Sequence, residues 1–354
     1  MHRARAKLGR LGPDDEGHER RQSGEGLWLT SAKFKLVDAC NLRCFMCDYW
    51  KGKREGELDT REVKRAISGL RELGCEKIHF TGGELFLRKD VVEIFRHTAE
   101  LGIRINLTTN GTRGSKEQWR ELLRLPVRSV TLSVDGPTAK VHDQIRGRKG
   151  AFKLTLRTLD RILANRGRKT RVRVNTVVHR GNVQAIGEIP NLWRERPLDG
   201  WLLIPIDPKS GGEGALSRQD IETYNVRTAP ILAETVNIEG FDPYVFGRTK
   251  KDVDYTARGQ WARGYYEQHR CHVPDFHTLI NSRGDVFPCC MTHQNIAPLG
   301  NIRDRPIEAI FRGKSYERLR LKMAAQRLAV CHRCDDFSVE NRAINDLFDG
   351  WKKG

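Results

Sequence analysis

The chain has 354 residues, enough for one large domain with an appendage or for two modest domains. Hydrophobic residues make up 38% of it, and no apolar run approaches the roughly 18 residues that a membrane-spanning helix requires. The first residues also lack the apolar segment of a signal peptide, so we expect a cytoplasmic protein without a membrane partner.

The net charge is +18, from 63 Lys and Arg against 45 Asp and Glu. A field of this sign attracts phosphorylated substrates, nucleic acid, or an acidic electron donor such as flavodoxin or ferredoxin. The basic residues are scattered along the chain, however, without interleaved aromatic residues or a nucleic-acid-binding motif. The positive charge therefore mildly favours a phosphorylated substrate. Its scattered distribution and the missing motif argue against nucleic acid as a partner.

Residues 1–28 have almost no apolar periodicity, which predicts a disordered or extended arm. Beyond them, short β-type runs alternate with helix-period segments. The predicted strands are Phe34–Val37, Lys77–Phe80, Arg104–Leu107, Ser129–Leu132, Val172–Val178 and Trp201–Ile206. The predicted helices are Thr60–Leu73, Asp90–Leu101, Lys116–Leu123, Ala151–Asn165 and Val183–Arg194. Six βα units predict a parallel sheet, either an open doubly wound sheet or an incomplete barrel, spanning residues 29–208.

Both of these folds place function at the carboxyl ends of the strands. Polar and sulfur-containing residues follow several of the predicted strands, beginning with Cys40 after the first and Glu84 after the second. Asn110 follows the third strand, and Asp135 follows the fourth. This arrangement predicts one shared active site at that edge of the sheet.

The alternation of predicted strands and helices ends near residue 208. We interpret residues 209–270 as a linker with helical segments and residues 271–354 as a small domain organised by metal. Within this domain, a predicted hairpin leads into Cys289, and a helix around Pro306–Ala325 precedes the pair Cys331 and Cys334.

The nine cysteines fall into two groups, with Cys75 alone between them. In a reducing compartment, such tight spacing indicates metal ligation more than disulfides. The first group, Cys40, Cys44 and Cys47, has the spacing C-x3-C-x2-C, and thiolates suit iron–sulfur clusters or zinc. A structural zinc site usually closes with a fourth ligand, for which only Asp48 is nearby. Three ligands on a cubane would instead leave one iron open.

The segment from Cys40 to Cys47 resembles the signature of the radical S-adenosylmethionine (radical SAM) family. The resemblance implies a partial (β/α)6 TIM-like barrel and a 4Fe–4S cluster on Cys40, Cys44 and Cys47. In this family the reduced cluster cleaves S-adenosylmethionine and yields a 5′-deoxyadenosyl radical. Met46 departs from the family pattern, because many members carry an aromatic residue there.

The same resemblance extends to four later segments and implies residues that bind S-adenosylmethionine. The glycine-rich turn after the second strand faces the methionine ammonium in relatives, the polar residues after the fourth face the ribose, and an arginine pairs with the carboxylate. The residues that match these and the adenosine-contacting positions are Gly82, Gly83, Glu84, Ser133, Asp135, Arg146, Asn175, Val177 and Ile204.

The second group resembles the twitch domain, a shortened SPASM domain, in which four thiolates hold an auxiliary 4Fe–4S cluster. The matching ligands here are Cys271, Cys289, Cys331 and Cys334. Cys290 is an alternative to Cys289, and a zinc ribbon is the alternative to the cluster.

Three functions are compatible with these motifs. The first is an oxidoreductase-type radical SAM enzyme that abstracts hydrogen from a small polar metabolite, such as a sugar, aminocyclitol or nucleotide-linked compound, with the auxiliary cluster in electron transfer. The second is a maturase that modifies a ribosomal peptide. The third, of another class, is a zinc-stabilised nucleic-acid-binding module.

Overall fold

A computed structural model describes residues 29–206, 212–325, 328–334 and 341–346. The predicted arm over residues 1–28 lies outside the described residues. Within them, no helix is both long enough and apolar enough to cross a bilayer.

Eight strands form one sheet. They are β1 (Ser31–Val37), β2 (Lys77–Gly82), β3 (Arg104–Thr109), β4 (Val127–Ser133), β5 (Arg171–Val178), β6 (Gly200–Pro205), β7 (His277–Ile280) and β8 (Val286–Phe287). The strand order is β6-β5-β4-β3-β2-β1-β7-β8, and β1 to β6 pair in parallel. The sheet and its crossover helices confirm the predicted partial barrel.

The helices lie mainly between the strands. They are α1 (Thr60–Glu72), α2 (Val91–Glu100), α3 (Lys116–Arg124), α4 (Ala139–Arg146), α5 (Ala151–Asn165), α6 (Arg218–Thr223), α7 (Ala229–Thr235), α8 (Lys250–Thr256), α9 (Tyr265–Gln268), α10 (Val273–Phe276), α11 (Ile307–Phe311) and α12 (Lys314–Ala324). A capping box begins α1, since the Asp59 side chain accepts from the Glu62 amide and Glu62 accepts in return. Similar reciprocal caps begin α3, α6 and α8.

Three helical predictions differ from the structure. Helix α4 was not expected, because its short polar sequence between two glycines has little apolar periodicity. The helix predicted over Val183–Arg194 is instead a 3₁₀ segment, Ile186–Leu192, in which Pro190 cannot donate a backbone hydrogen bond. The single helix predicted around Pro306–Ala325 divides into α11 and α12 at Gly313.

The two faces of the sheet differ in polarity. On β1, Ala32, Phe34 and Leu36 are buried against the helical layer, whereas Lys33 and Lys35 alternate with them on the inner face. The same alternation continues on β2, β3 and β5. Parallel strands covered by apolar layers on both faces are apolar throughout. The polar inner face therefore lines the open side of the partial barrel.

The C-terminal hairpin continues this sheet. Strand β7 pairs in parallel with β1, and β8 pairs antiparallel with β7. Beyond the hairpin, the Arg303 guanidinium binds the Glu62 carboxylate at 2.7 Å and donates to the carbonyl oxygens of Gly56 and Glu57. The second cysteine group therefore flanks a hairpin that pairs with β1, and β1 is the strand that precedes the first cysteine group.

Candidate active site

The first cysteine group lies in a loop that follows β1. Leu42, Cys44 and Ala151 form a small buried apolar cluster, and Cys40, Met46 and Cys47 pack against it. The structure therefore brings the three cysteines together at the carboxyl edge of the sheet, beside the first residue of α5. None of the nine cysteines, all of which lie in the described ranges, forms a disulfide.

Backbone hydrogen bonds from other elements hold this loop in place. The amide of Arg43 donates to the carbonyl of Arg146 at 3.0 Å, which ties the loop to the end of α4. The amide of Glu84 donates to the carbonyl of Ala39 at 2.9 Å, which ties it to the end of β2. The Glu57 carboxylate accepts from the Asp38 amide at 2.7 Å. The conformation of the loop is therefore fixed by three separate segments.

Gly82 and Gly83 pack against the start of the cysteine loop. A Cβ atom added to Gly83 would lie 1.8 Å from the carbonyl oxygen of Ala39. One added to Gly82, whose φ is +137°, would lie 2.5 Å from that of Val37. Only glycine allows this close approach of two backbones. In the structure the two glycines therefore position the cysteine loop, a role that the sequence did not indicate.

Replacing Gly83 by Ala is expected to displace the cysteine loop, because the backbone oxygen that a methyl group would meet cannot move without breaking its hydrogen bond to Glu84. We expect a loss of about 1–3 kcal/mol in the free energy of unfolding, as for other overpacked sites. Urea unfolding of the iron-free chain measures this loss. Gly167→Ala is the matched control, since the nearest atom to its added Cβ is 3.7 Å away. Equal stability of the two variants would contradict the assignment.

Two nitrogen donors point at sulfur atoms of the loop. The Asn110 side-chain amide lies 3.7 Å from Cys40 Sγ, and Arg146 Nη1 lies 3.8 Å from Cys44 Sγ. Asn110 is itself held by Asn41 and Thr112, through hydrogen bonds of 3.1 Å and 2.7 Å. Such donors stabilise thiolate ligands and tune the metal that the thiolates bind. In the sequence, Asn110 stands out only as a polar residue after a strand.

Asn110→Ala is expected to weaken iron binding by about 10- to 100-fold, the usual effect of removing a group that orients a metal ligand. Anaerobic titration of the iron-free chain with a competing iron chelator measures this affinity. Thr108→Ala serves as the control, because that hydroxyl hydrogen-bonds His79 on the neighbouring strand and contacts no cysteine. An unchanged affinity in Asn110→Ala would show that its amide does not support Cys40.

Arg146 and Asp135 form a buried ion pair, with 2.6 Å between Nη2 and Oδ2. The other carboxylate oxygen of Asp135 accepts from the Val177 amide at 2.9 Å. Burial lowers the pKa of the Arg146 guanidinium, but the Asp135 carboxylate and the Cys44 sulfur more than offset this and keep it above its ordinary value. Asp135 therefore faces Arg146 and the backbone of β5 in this structure, whereas the sequence predicted a contact with ribose.

The remaining predicted residues lie within β4, β5 and β6, on neighbouring strands. Ser133 is paired with Asn175 across β4 and β5, and Val177 is paired with Ile204 across β5 and β6.

Glu84, in contrast, is fully buried and accepts hydrogen bonds from the Phe86 and Asn110 amides and from the Thr109 hydroxyl. Burial raises the pKa of the Glu84 carboxyl, although these donors oppose the rise. Glu84 thus joins the ends of β2 and β3.

The second cysteine group lines one cavity. Its walls contain all five C-terminal cysteines, namely Cys271, Cys289, Cys290, Cys331 and Cys334. Apolar side chains including Met291, Met323 and Val330 complete the walls. The Thr292 hydroxyl lies 3.6 Å from Cys289 Sγ. Both Cys289 and Cys290 therefore remain available as the fourth ligand.

The donors of both cysteine groups fit iron–sulfur clusters. Thiolates are the ligands that these clusters prefer, and each thiolate of a cubane binds a different iron, so the sulfur atoms must surround a cavity instead of meeting at one point. Across the described ranges, no three His, Cys, Asp or Glu side chains are grouped as around a single metal ion.

Comparison with known families agrees with these two sites. A family model described as the radical SAM superfamily matches residues 34–188, and one described as an iron–sulfur cluster-binding domain, SPASM, matches residues 271–335. The chain thus contains a radical SAM domain over residues 34–188. It carries a C-terminal SPASM domain, and its cofactors are S-adenosylmethionine and 4Fe–4S clusters. The family and the cofactors predicted from the sequence are therefore confirmed.

The relatives of known sequence include proteins with different activities. The chain is 28% identical to an AdoMet-dependent heme synthase of Methanosarcina barkeri over 78% of its own length and 80% of that protein. It is 33% identical to the PqqA peptide cyclase of Rhodopseudomonas palustris over 45% of its length and 40% of that protein. The alignment with another heme synthase likewise spans only 45% of the relative.

Solved structures share the whole fold. Streptococcus suis SuiB, crystallised with its precursor peptide SuiA, superposes with a TM-score of 0.67 at 15% identity, over 92% of this chain and 75% of SuiB. At this level of identity the likeness concerns the fold.

Proposed function

We propose that this radical SAM protein cleaves S-adenosylmethionine reductively and abstracts a hydrogen atom from a small polar substrate. The observation that carries the proposal is the convergence of Cys40, Cys44 and Cys47 at the carboxyl edge of a partial barrel whose inner face is polar. When bound, the cluster and S-adenosylmethionine supply the radical that removes the hydrogen atom. The protein supplies binding, orientation and exclusion of water.

Two sets of residues have different parts in this proposal. The catalytic cluster would be held by Cys40, Cys44 and Cys47. S-adenosylmethionine would bind along the partly exposed edge formed by Gly82, Gly83, Ser133, Asn175, Val177 and Ile204. Glu84, Asp135 and Arg146 act from behind this edge, because all three are buried and hold other groups of the protein. Arg146 then supports Cys44 and binds the Asp135 carboxylate instead of the methionine carboxylate of S-adenosylmethionine.

Cys271, Cys289, Cys331 and Cys334 hold the auxiliary cluster in this proposal. Four protein ligands leave no open iron, so this cluster suits electron transfer better than substrate binding. A substrate that loses both a hydrogen atom and an electron is oxidised, which makes an oxidoreductase-type reaction the best-supported outcome. The positively charged surface supports an acidic donor such as flavodoxin or ferredoxin as the source of the initial electron.

A peptide substrate is the second candidate. It is supported by the activity for which the PqqA peptide cyclase is named and by the peptide bound to SuiB. The small-molecule candidate is supported by the heme synthase that aligns over 80% of its own length. Incubating the reduced protein with a precursor peptide encoded beside its gene distinguishes the two candidates. We expect the mass of the peptide to change only if the peptide is the substrate.

Anaerobic reconstitution tests the proposed reaction. We expect about eight irons per chain, corresponding to two 4Fe–4S clusters, and a brown protein with absorbance near ~400 nm that bleaches with dithionite. Reduction in the presence of S-adenosylmethionine should release 5′-deoxyadenosine. A colourless zinc protein that binds nucleic acid in a salt-dependent manner would support the third function predicted from the sequence instead.

A further inference from the structure

Lys35 is a partly buried lysine on the inner face of β1. Its Nζ lies 3.1 Å from Nδ1 of His293 and 5.4 Å from the centre of the Tyr49 ring. The charged end of this side chain is therefore in a defined position, held by one polar and one aromatic neighbour. Neither the proposed cluster ligands nor the proposed S-adenosylmethionine contacts include it.

This position lies between the two cysteine groups. Tyr49 follows Cys47 by two residues, and His293 follows Cys290 by three. A substrate that receives the radical at one cluster and passes an electron to the other must occupy the space between them, so Lys35 is placed to contact it.

The positive charge of Lys35 is not balanced by a carboxylate. Among the described residues, none forms an ion pair with Lys35 Nζ, and the nearby Asp38 is engaged by Arg283 at 3.6 Å. Burial lowers the pKa of Lys35 to about 8, so the side chain is still mainly protonated at neutral pH. A partly buried ammonium without a carboxylate partner costs folding free energy. An anion brought by a ligand would remove this cost.

A second hydrogen-bond donor lies beside the Lys35 ammonium. The hydroxyl of Tyr49 is buried and has no hydrogen-bond partner in the structure. His293 Nδ1 accepts from the Lys35 ammonium and so holds it in place. One charged donor and one neutral donor without a partner form a set suited to an oxyanion.

We infer that Lys35, held by His293, binds a carboxylate or phosphate group of the substrate between the two clusters together with the Tyr49 hydroxyl. This inference rests on the proposed function, because it assumes that the substrate lies there. It narrows the substrate class to compounds that carry an oxyanion near the reacting carbon.

Protection of Lys35 in the wild-type holoenzyme tests the inference. The anaerobic protein is treated with a small amine-acylating reagent, with or without inorganic phosphate or succinate, and acylation is read by peptide mass spectrometry. We expect saturating phosphate or succinate to slow acylation of Lys35 by about tenfold or more and to leave the exposed Lys53 unchanged. The two probes separate a phosphate from a carboxylate site. Equal rates at Lys35 with and without both probes would overturn the inference.

Variants give a second, independent measurement. The probe that protects Lys35, either phosphate or succinate, is titrated into the reduced holoenzyme. Its binding is followed by the electron paramagnetic resonance spectrum of the clusters. Lys35→Met should weaken it by about tenfold or more, whereas Lys35→Arg and the surface control Lys53→Met should stay within about threefold of wild type. If Lys35→Met lowers the affinity for S-adenosylmethionine and leaves probe binding unchanged, Lys35 binds the cofactor and the inference fails.

The outcome is separable from that of the proposed function. Release of 5′-deoxyadenosine by the wild-type protein tests the proposed function without any probe. Release together with an unprotected Lys35 rejects the oxyanion site alone. Absence of release rejects the proposed function whatever the probes do.

Discussion

Cys44→Ala should lose about half of its iron, because one of two 4Fe–4S clusters can no longer be held, and should release no 5′-deoxyadenosine above background. Cys44 is buried at the centre of the apolar cluster against which Cys40 and Cys47 pack. A cluster bound by only two thiolates of this loop would have two irons without a protein ligand and would dissociate more easily. Iron and sulfide counting on the anaerobic protein, followed by chromatographic detection of 5′-deoxyadenosine, measures both effects.

Cys75→Ala is the matched control for this experiment. Cys75 is also a buried cysteine, but its thiol donates to the carbonyl of Lys77 and lies in the main hydrophobic core. Its replacement should leave iron content and 5′-deoxyadenosine release unchanged. If Cys44→Ala retained full iron and activity, the assignment of this loop as the site of the catalytic cluster would be wrong.

Arg146→Met should destabilise the iron-free chain by about 3–5 kcal/mol, since it leaves the fully buried Asp135 carboxylate without its partner. The pair joins α4 to the end of β4, and the same guanidinium lies beside Cys44. The cysteine loop should therefore also bind iron more weakly. Urea unfolding followed by circular dichroism measures the first effect, and chelator competition measures the second.

The control for this variant is an ion pair at the surface. Lys64 and Glu93 are paired across α1 and α2 with both side chains partly exposed to solvent. Lys64→Met should cost about 0–1 kcal/mol. If the two variants lost the same small amount of unfolding free energy, the Asp135–Arg146 pair would stabilise the protein no more than a surface ion pair does.

Much of the fold was predictable because it depends on local patterns. Each predicted strand overlaps an observed one, and α5 begins and ends at the predicted residues Ala151 and Asn165. Alternating and helical apolar periods report the side that each segment buries, and this information lies within a few neighbouring residues. The helix α4 was missed for the same reason, since tertiary contacts of His142, Ile145 and Arg146 stabilise it more than its own periodicity.

The sequence alone determined the chemistry of the ligands. The spacing of Cys40, Cys44 and Cys47 places three thiolates on one loop, and the terminal cysteines Cys331 and Cys334 form a second short motif. Ligand spacing within a loop is set by chain geometry, which depends only on the order of the residues. The type of metal centre and the family could therefore be predicted from these motifs.

Only the tertiary structure decided which side chains surround these ligands. Lys35 and His293 are 258 positions apart, and Asn110 and Cys40 are 70 apart, yet each pair is in contact. The pairing of Asp135 with Arg146 likewise depends on where α4 packs against β4. Such contacts arise from the packing of separate elements, which no local pattern encodes, because a parallel sheet brings distant strand ends to one edge.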